Sequence, residues 1–399
     1  MVTTVTSYTD SRNRAYAGQG FDGVVRISVG GYFGTGELLY DGQAVLTAAH
    51  LFSNGVTSAS ITFDTTAGTQ TLSSSQVTVH PAFDTVNDNN DLAIVWLNGR
   101  APVSADRYGL YRGGDEIGQA FTMVGYGQVG TGSAGSTGQS NPSWRLKAQN
   151  TFDADAATLK KTLGQGMGWT PLAGSQLMAD FDNGNKVNDA LGQLAKLAGL
   201  GLGANEGLIA AGDSGGPAFI NGQIAGVGGY VTSLTLGAIH PDVDNADNSS
   251  FGEIAAWQRV SHYQQWIDQS LRAQYLNAPT KPSEVQKTVP EGNSGTRYAY
   301  FLLQFTGVRS DPNQWLSVDY ATRDGTAAAG RDYLAVHGKL VLYPNENQAV
   351  IPVEVIGDTT PEPDETFYLD VTNPVGGSFG PGVVMLTAMR TIVTDDGWV

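Results

Sequence analysis

Gly212-Asp213-Ser214-Gly215-Gly216-Pro217-Ala218-Phe219 sets a serine among glycines on a turn, where its hydroxyl stands clear of its own backbone. The N–H groups of Gly212 and Ser214 can then converge on one point and stabilise an oxyanion. A G-x-S-x-G pattern also occurs at the elbow between a strand and a helix. No helix follows here: after Pro217, the run Phe219-Ile220-Asn221-Gly222-Gln223-Ile224-Ala225-Gly226-Val227 reads as two short strands joined by an Asn-Gly turn. The serine therefore belongs to a β framework.

Two upstream segments supply its partners. Val45-Leu46-Thr47-Ala48-Ala49-His50 is an apolar strand ending in small residues and a histidine, and Asn87-Asp88-Asn89-Asn90-Asp91-Leu92-Ala93 is a polar loop that brings an aspartate to the mouth of a buried strand. A serine hydroxyl is a weak nucleophile at neutral pH, so it needs a base that titrates near neutrality. His50 would take the serine proton and later return it to a leaving group. Asp91 would hold the imidazole in one tautomer. The order His50…Asp91…Ser214 excludes the Ser…Asp…His order of the elbow enzymes. Thr47-Ala48-Ala49-His50, Asn90-Asp91-Leu92-Ala93 and Gly212-Asp213-Ser214-Gly215-Gly216-Pro217 together resemble a chymotrypsin/trypsin-like serine protease. Val79-His80-Pro81, Met123-Val124-Gly125-Tyr126-Gly127 and Val260-Ser261-His262-Tyr263-Gln264-Gln265-Trp266-Ile267 agree with it. The resemblance covers about Gly23 to Leu276 and implies two β-barrels, a His50-Asp91-Ser214 triad, an oxyanion hole at Gly212 and Ser214, and no cofactor for catalysis. The remaining histidines, His80, His240, His262 and His337, read as structural or solvated.

The 399 residues are 41% hydrophobic and 15% charged, enough to bury two or three cores. With 52 glycines, short apolar runs bounded by Gly, Asn, Asp and Ser imply many short strands. The net charge of −16 argues against a nucleic acid or an anionic membrane surface as partner and suits calcium-binding carboxylates. There is no cysteine, so no disulfide framework stabilises the fold. No stretch is apolar enough for membrane insertion, and no signal peptide is legible at the start; the domain types nonetheless lead us to expect a secreted or cell-surface bacterial protein.

Two departures from the resembled family bear on activation and specificity. The family pairs the aspartate before the serine, here Asp213, with a freed N-terminal amine of an Ile-Val-Gly-Gly start, which is missing. We expect residues 1–14 to be a solvated tail, with cleavage after Arg14 as the alternative. The base of the primary pocket falls on Leu208 and Ile209, its walls on Gly228-Gly229-Tyr230-Val231 and Ala255-Ala256-Trp257. Without an aspartate at the base, the pocket suits an apolar residue before the scissile bond. Glu206 reads as an exposed loop carboxylate, or as the pocket charge after a short loop shift.

An insertion spans about 152–205. Within it, Lys186–Ala198 has helical spacing, and Asp180-Phe181-Asp182-Asn183-Gly184-Asn185 begins like a calcium loop but lacks the closing Glu, so it reads as a polar turn. The catalytic-type domain covers 1–276, ending in a helix over His262–Leu276, and 277–283 is a Pro-bearing linker. Across 284–399, alternation resumes at Trp315–Tyr320, Lys339–Tyr343, Ala349–Val355 and Phe367–Val371, enough for one immunoglobulin-like β-sandwich. Pro290-Glu291-Gly292-Asn293-Ser294-Gly295, Asp324-Gly325-Thr326-Ala327, Gly330-Arg331-Asp332-Tyr333, Gly357-Asp358, Glu362-Pro363-Asp364-Glu365-Thr366-Phe367, Asn373-Pro374 and Thr394-Asp395-Asp396 resemble a Calx-beta domain. That resemblance implies Ca²⁺ held by Glu291, Asp332, Asp358, Glu362, Glu365, Asp395 and Asp396. Gly357 and Thr394 replace two family carboxylates, so fewer ions than the four of the exchanger module are expected. The chain thus reads as an all-β serine endopeptidase acting on protein or peptide substrates, with a calcium-binding or adhesive module that could engage a matrix or cell-surface partner. An adhesin with a degenerate protease-like domain and an esterase using the same triad are the alternatives.

Overall fold

Six strands, Val24–Val29, Tyr32–Leu38, Ala44–Thr47, Ser60–Thr65, Gly68–Val79 and Ala93–Leu97, close into a barrel. Val25, Ile27, Val45, Ile61, Phe63 and Val95 fill it, because alternate residues of a strand share a face. The first hairpin turns at Gly30 and Gly31, with φ of 57° and 87°; both positions need the left-handed region that a primed two-residue turn demands. The computed structural model describes residues 2–141, 144–197 and 199–396.

A second, barrel-like sheet of seven strands follows, ordered Leu146–Thr151, Ala120–Gly125, Pro217–Ile220, Gln223–Thr232, Ile254–Arg259, Gln176–Asp180 and Ala154–Asp155. The hairpin after Pro217 turns at Asn221 and Gly222, φ 51° and 76°, as its sequence requires. Phe121 stacks on Phe152 at 4.0 Å between centroids, and the Trp257 edge meets them at 5.0 and 5.7 Å. Such aromatic clustering supplies the cohesion that disulfides would otherwise provide.

The N-terminal segment is not a solvated tail. Thr3–Thr4 is a short strand between Gly207–Leu208 and Gly130–Thr131, and Val2 is buried in the second core. Three apolar or β-branched residues next to an open sheet edge are better satisfied there than in water. Within the insertion, the predicted helix over 186–198 shrinks to Ala190–Ala195, capped by Asp189 and ended by Lys196 in the left-handed region; Ala198 lies outside the described residues. A second helix, Ala156–Leu163, is capped by Asp155, which accepts from the N–H groups of Ala157 and Thr158.

The chain divides into two compact units, Met1–Leu39 with Gln43–Gln264 and Tyr40–Gly42 with Gln265–Val399. The division falls inside the helix Val260–Gln274 rather than after it. The second unit is a sandwich. One sheet runs Thr288–Pro290, Met385–Val393, Glu365–Val375, Leu316–Asp324, His337–Leu342; the other pairs Thr296–Gln304 with Gln348–Ile356. Tyr333 stacks on Phe367 at 4.5 Å and Phe301 meets it edge-on at 5.8 Å, which fixes the two sheets face to face. Among the described residues, no helix is long and apolar enough to cross a membrane.

Candidate active site

Thr47 pairs with Ala93 in the first barrel. The pairing is antiparallel, so the chain leaving Thr47 and the chain arriving at Ala93 emerge side by side. His50 sits in the short helix Ala49–Phe52 directly after the first strand, and Asp91 lies just before the second. Asp91 accepts from the His50 backbone N–H at 2.8 Å and lies 2.7 Å from Nδ1. The Asp91 side chain is 2% exposed, that of His50 35%. Asp88 and Asn90, both with φ near 50°, bend the loop, which is held by amide side chains: Gln176 and Gln258 both donate to the Asp88 carbonyl. Burial works against a charged His50, but the hydrogen bond and charge of Asp91, aided by Asp88, win and raise its pKa above the ordinary value.

The serine turn docks against the same corner. Thr35 N–H donates to the Ser214 carbonyl at 2.9 Å, and Thr47 Oγ1 donates to the Thr35 carbonyl at 2.7 Å. A Cβ placed on Gly215 would lie 2.0 Å from Thr47 Oγ1 and 2.7 Å from Ala48 N, so only glycine lets the turn approach the segment leading to His50. The N–H groups of Asp213, Gly215 and Gly216 are all taken, by the carbonyls of Ala210, Gly228 and Asp213. Those of Gly212 and Ser214 have no acceptor among the described residues. Gly212 adopts φ 92°, and the alternation leaves two donors free at the turn. The Ser214 hydroxyl makes no hydrogen bond to a described residue; such bonds commonly tighten only when substrate is present. Beneath the turn, the buried Asp213 carboxylate accepts from Gly127 N at 2.8 Å and Ala210 N at 2.9 Å, while burial pushes its pKa up to about 6.

The pocket residues separate. Leu208 is fully enclosed in the second core and pairs with Thr3, so it offers a ligand no surface; the N-terminal strand, invisible to a motif count, covers it. Ile209, 4% exposed, lies against Gly228. At Gly229 an added Cβ would stand 4.0 Å from Asp91 Oδ2, which puts this wall beside the His50–Asp91 pair. Tyr230 is half-buried; its hydroxyl accepts from Trp169 Nε1 and donates to Gln176 Oε1, both at 2.8 Å, and burial raises its pKa. Val231 packs at the margin of the core. Glu206 is neither an exposed carboxylate nor a pocket charge. It is 1% exposed, its Oε1 accepts from Asp182 N at 2.7 Å, and its Oε2 accepts from Leu202 N. Burial pushes it up to about 7.

In the second unit, Pro290 and Val393 are parallel neighbours, so Glu291, Asp395 and Asp396 leave their strands at one corner. Their carboxylate oxygens lie within 4.8 Å of one another, as do those of Asp332, Glu362 and Glu365. Burial, then the charges of Asp358 and Glu362, raise Glu291. Asp358 belongs to neither group; its Oδ1 accepts from Thr360 N. Arg331 pairs with Asp332 at 2.8 Å and Glu365 at 3.2 Å, so the second group already holds a cation. In the first group, a buried Asp396 Oδ2 has no partner among the described residues. An all-oxygen donor set with an orphaned carboxylate oxygen fits Ca²⁺.

Residues 11–163 match the family model Trypsin, and residues 304–397 match the Calx-beta domain. The chain joins a trypsin-family domain to a Calx-beta domain. The trypsin match contains His50 and Asp91 and stops within the insertion, before Ser214. The Drosophila melanogaster sodium/calcium exchanger Calx is 41% identical over 69 residues, 17% of this chain and 7% of that protein. Human sodium/calcium exchanger 2 is 36% identical over 108 residues, 24% of this chain and 12% of that protein. The chain thus spans only a small part of these curated relatives. The solved structure of mouse neuropsin, a serine protease, aligns with a TM-score of 0.47 at 15% identity, covering 65% of this chain and 98% of that one.

Proposed function

We propose that the trypsin-family domain is a serine endopeptidase and that the Calx-beta domain holds Ca²⁺. One observation supports the first reading above the others: two unacceptored N–H groups, of Gly212 and Ser214, flank the serine of a turn packed against the segment that carries the Asp91-bound His50. Ser214 Oγ attacks the scissile carbonyl while His50 Nε2 takes its proton. The carbonyl oxygen becomes an oxyanion, received by the two free N–H groups. His50 then protonates the leaving amine, and water repeats the sequence on the acyl-enzyme. Asp91 keeps the Nδ1 proton in place and stabilises the imidazolium. With Ile209 against Gly228 at the expected pocket base and no charged residue among Ile209, Gly229, Tyr230 and Val231, apolar residues before the cut are preferred.

Glu291, Asp395 and Asp396 would hold a calcium ion at one tip of the sandwich, ordering carboxylates that otherwise repel each other. The domain pair suits a secreted or surface protein whose substrates are proteins or peptides.

Labelling with an organophosphate and mapping the modified residue tests the enzymatic reading. The label should fall on Ser214, and Ser214→Ala should lose label and peptide hydrolysis together, by about 10⁶ in kcat, with its unfolding profile unchanged. Label on another residue, or undiminished hydrolysis by the variant, defeats the assignment. Hydrolysis of esters but not peptides points to the esterase, and a folded protein that takes no label points to the degenerate adhesin.

A further inference from the structure

Asp180, Asp182 and Asp189 each bring a carboxylate oxygen within 4.8 Å of the other two. Their residues are 2%, 5% and 4% exposed. Asp180 ends the strand Gln176–Asp180, and Asp182 follows two residues on, with Phe181 between them turned into the core. Asp189 caps the helix Ala190–Ala195, and Asp180 Oδ2 accepts from Leu191 N at 2.7 Å, which ties strand end to helix start. Glu206, equally buried, reaches the backbone of Asp182 from the far end of the loop. No lysine, arginine or histidine forms an ion pair with any of these carboxylates among the described residues.

A second observation is independent of the clustering. Asp182 Oδ1 is buried and has no hydrogen-bond partner among the described residues. After burial itself, the influences on this carboxyl are the charges of Asp180, Glu206, Asp189 and Asp153, all of which oppose its ionisation. An acceptor oxygen shut away from water among four further carboxyl groups lacks a donor or a cation, and leaving it so costs more than pairing it.

We propose that Asp180, Asp182 and Asp189 form a calcium site within the trypsin-family domain. The donors are oxygens only, which selects a hard cation over zinc or copper. Ca²⁺ accepts about six to eight oxygens in an irregular shell, which suits carboxylates gathered from a strand end and a helix cap, whereas Mg²⁺ demands a near-ideal octahedron. Three carboxylates balance the ion's two charges with a small surplus, and backbone carbonyls and water complete the shell. Linear spacing hides the site: the twelfth position from Asp180 is Leu191, not the Glu that closes an EF-hand, and the third carboxylate arrives at Asp189. The ion would tie the end of the strand Gln176–Asp180 to the start of the helix Ala190–Ala195, in the segment that runs on to the strand Gly207–Leu208 ahead of the serine turn. The site stands whether or not Ser214 is a nucleophile.

The test uses the full chain, in which the proposed site at Glu291, Asp395 and Asp396 would also take calcium, so the measurement is a difference. Native mass spectrometry in CaCl₂ should find one calcium fewer on Asp182→Asn, and on Asp180→Asn with Asp182→Asn, than on the parent. In chelator, Asp182→Asn should melt close to the parent; in calcium it should melt below it. Hydrogen exchange of the unsubstituted chain gives a readout that depends on no variant folding: segment 180–206 should gain protection when CaCl₂ replaces chelator. Equal calcium counts on parent and variants, or unchanged exchange in 180–206, would overturn the site and leave carboxyls that share protons.

Discussion

Replacing Asp91 by Asn probes the site with the least change of shape. Asp91 accepts twice from His50, from the backbone N–H at 2.8 Å and at Nδ1 at 2.7 Å, and at 2% side-chain exposure it has no water to substitute for either. An asparagine has one acceptor oxygen. If that oxygen keeps the backbone N–H, the amide NH₂ faces Nδ1, which must become an acceptor, and the imidazole proton moves to Nε2. His50 can then no longer take the Ser214 proton. Inverting the tautomer in this way costs about 10⁴ in kcat, or roughly 5.4 kcal/mol at 1.36 kcal/mol per decade. The pH profile carries a second signature. The base must be neutral, and its pKa is raised, so the acid limb of kcat/KM in the parent should lie above 6.5, the ordinary histidine value. In Asp91→Asn burial is opposed only by Asp88, and the limb should move to lower pH. Hydrolysis of a chromogenic peptide followed from about pH 5 to 9 measures both. A variant within tenfold of the parent, or one whose acid limb stays in place while thermal unfolding is normal, would refute the role given to Asp91.

Glu37 is fully buried in the first barrel with neither carboxylate oxygen hydrogen-bonded to a described residue, and burial holds its pKa well above 4.5. The folded chain keeps a proton that the unfolded chain releases, so stability should fall as pH rises past 4.5, by up to about 1.36 kcal/mol per unit; Glu37→Met should melt higher than the parent, by more at pH 8 than at pH 5, and an equal shift at both would show that the carboxyl is solvated. Calcium should raise the melting of the Calx-beta transition, and Asp396→Asn should blunt that rise, as read by calorimetry of the full chain with CaCl₂ or chelator. A peptide-library digest should show cuts after apolar residues; cuts chiefly after Lys or Arg would mean that a charge outside the described pocket residues sets the preference.

Local chemistry made much of this protein legible in advance. The Asn221-Gly222 turn has few conformations open to it, so the hairpin behind Ser214 followed from two residues. Period-two alternation located the strands around Val318 and Leu369, which are buried on alternate residues, while those around Val341 and Val353 stood out as short apolar runs buried over consecutive residues. The chain order of His50, Asp91 and Ser214 pointed to one arrangement of the site, and the pairing of Thr47 with Ala93 is what brings the first two together. Other features depended on residues distant in sequence. Leu208 is enclosed because Thr3 pairs with it, and a strand of two residues carries no periodic signal. Glu206 converges on Asp182 only after a loop of some twenty residues folds back, and Asp189 meets Asp180 and Asp182 only through the docking of a short helix; burial of like charges is a property of that convergence, not of any spacing. Strand and turn preferences act between neighbours in sequence, whereas desolvation and charge repulsion act between neighbours in space. The framework could therefore be read from the chain, while the pocket base and the acidic cluster were decided by the tertiary structure.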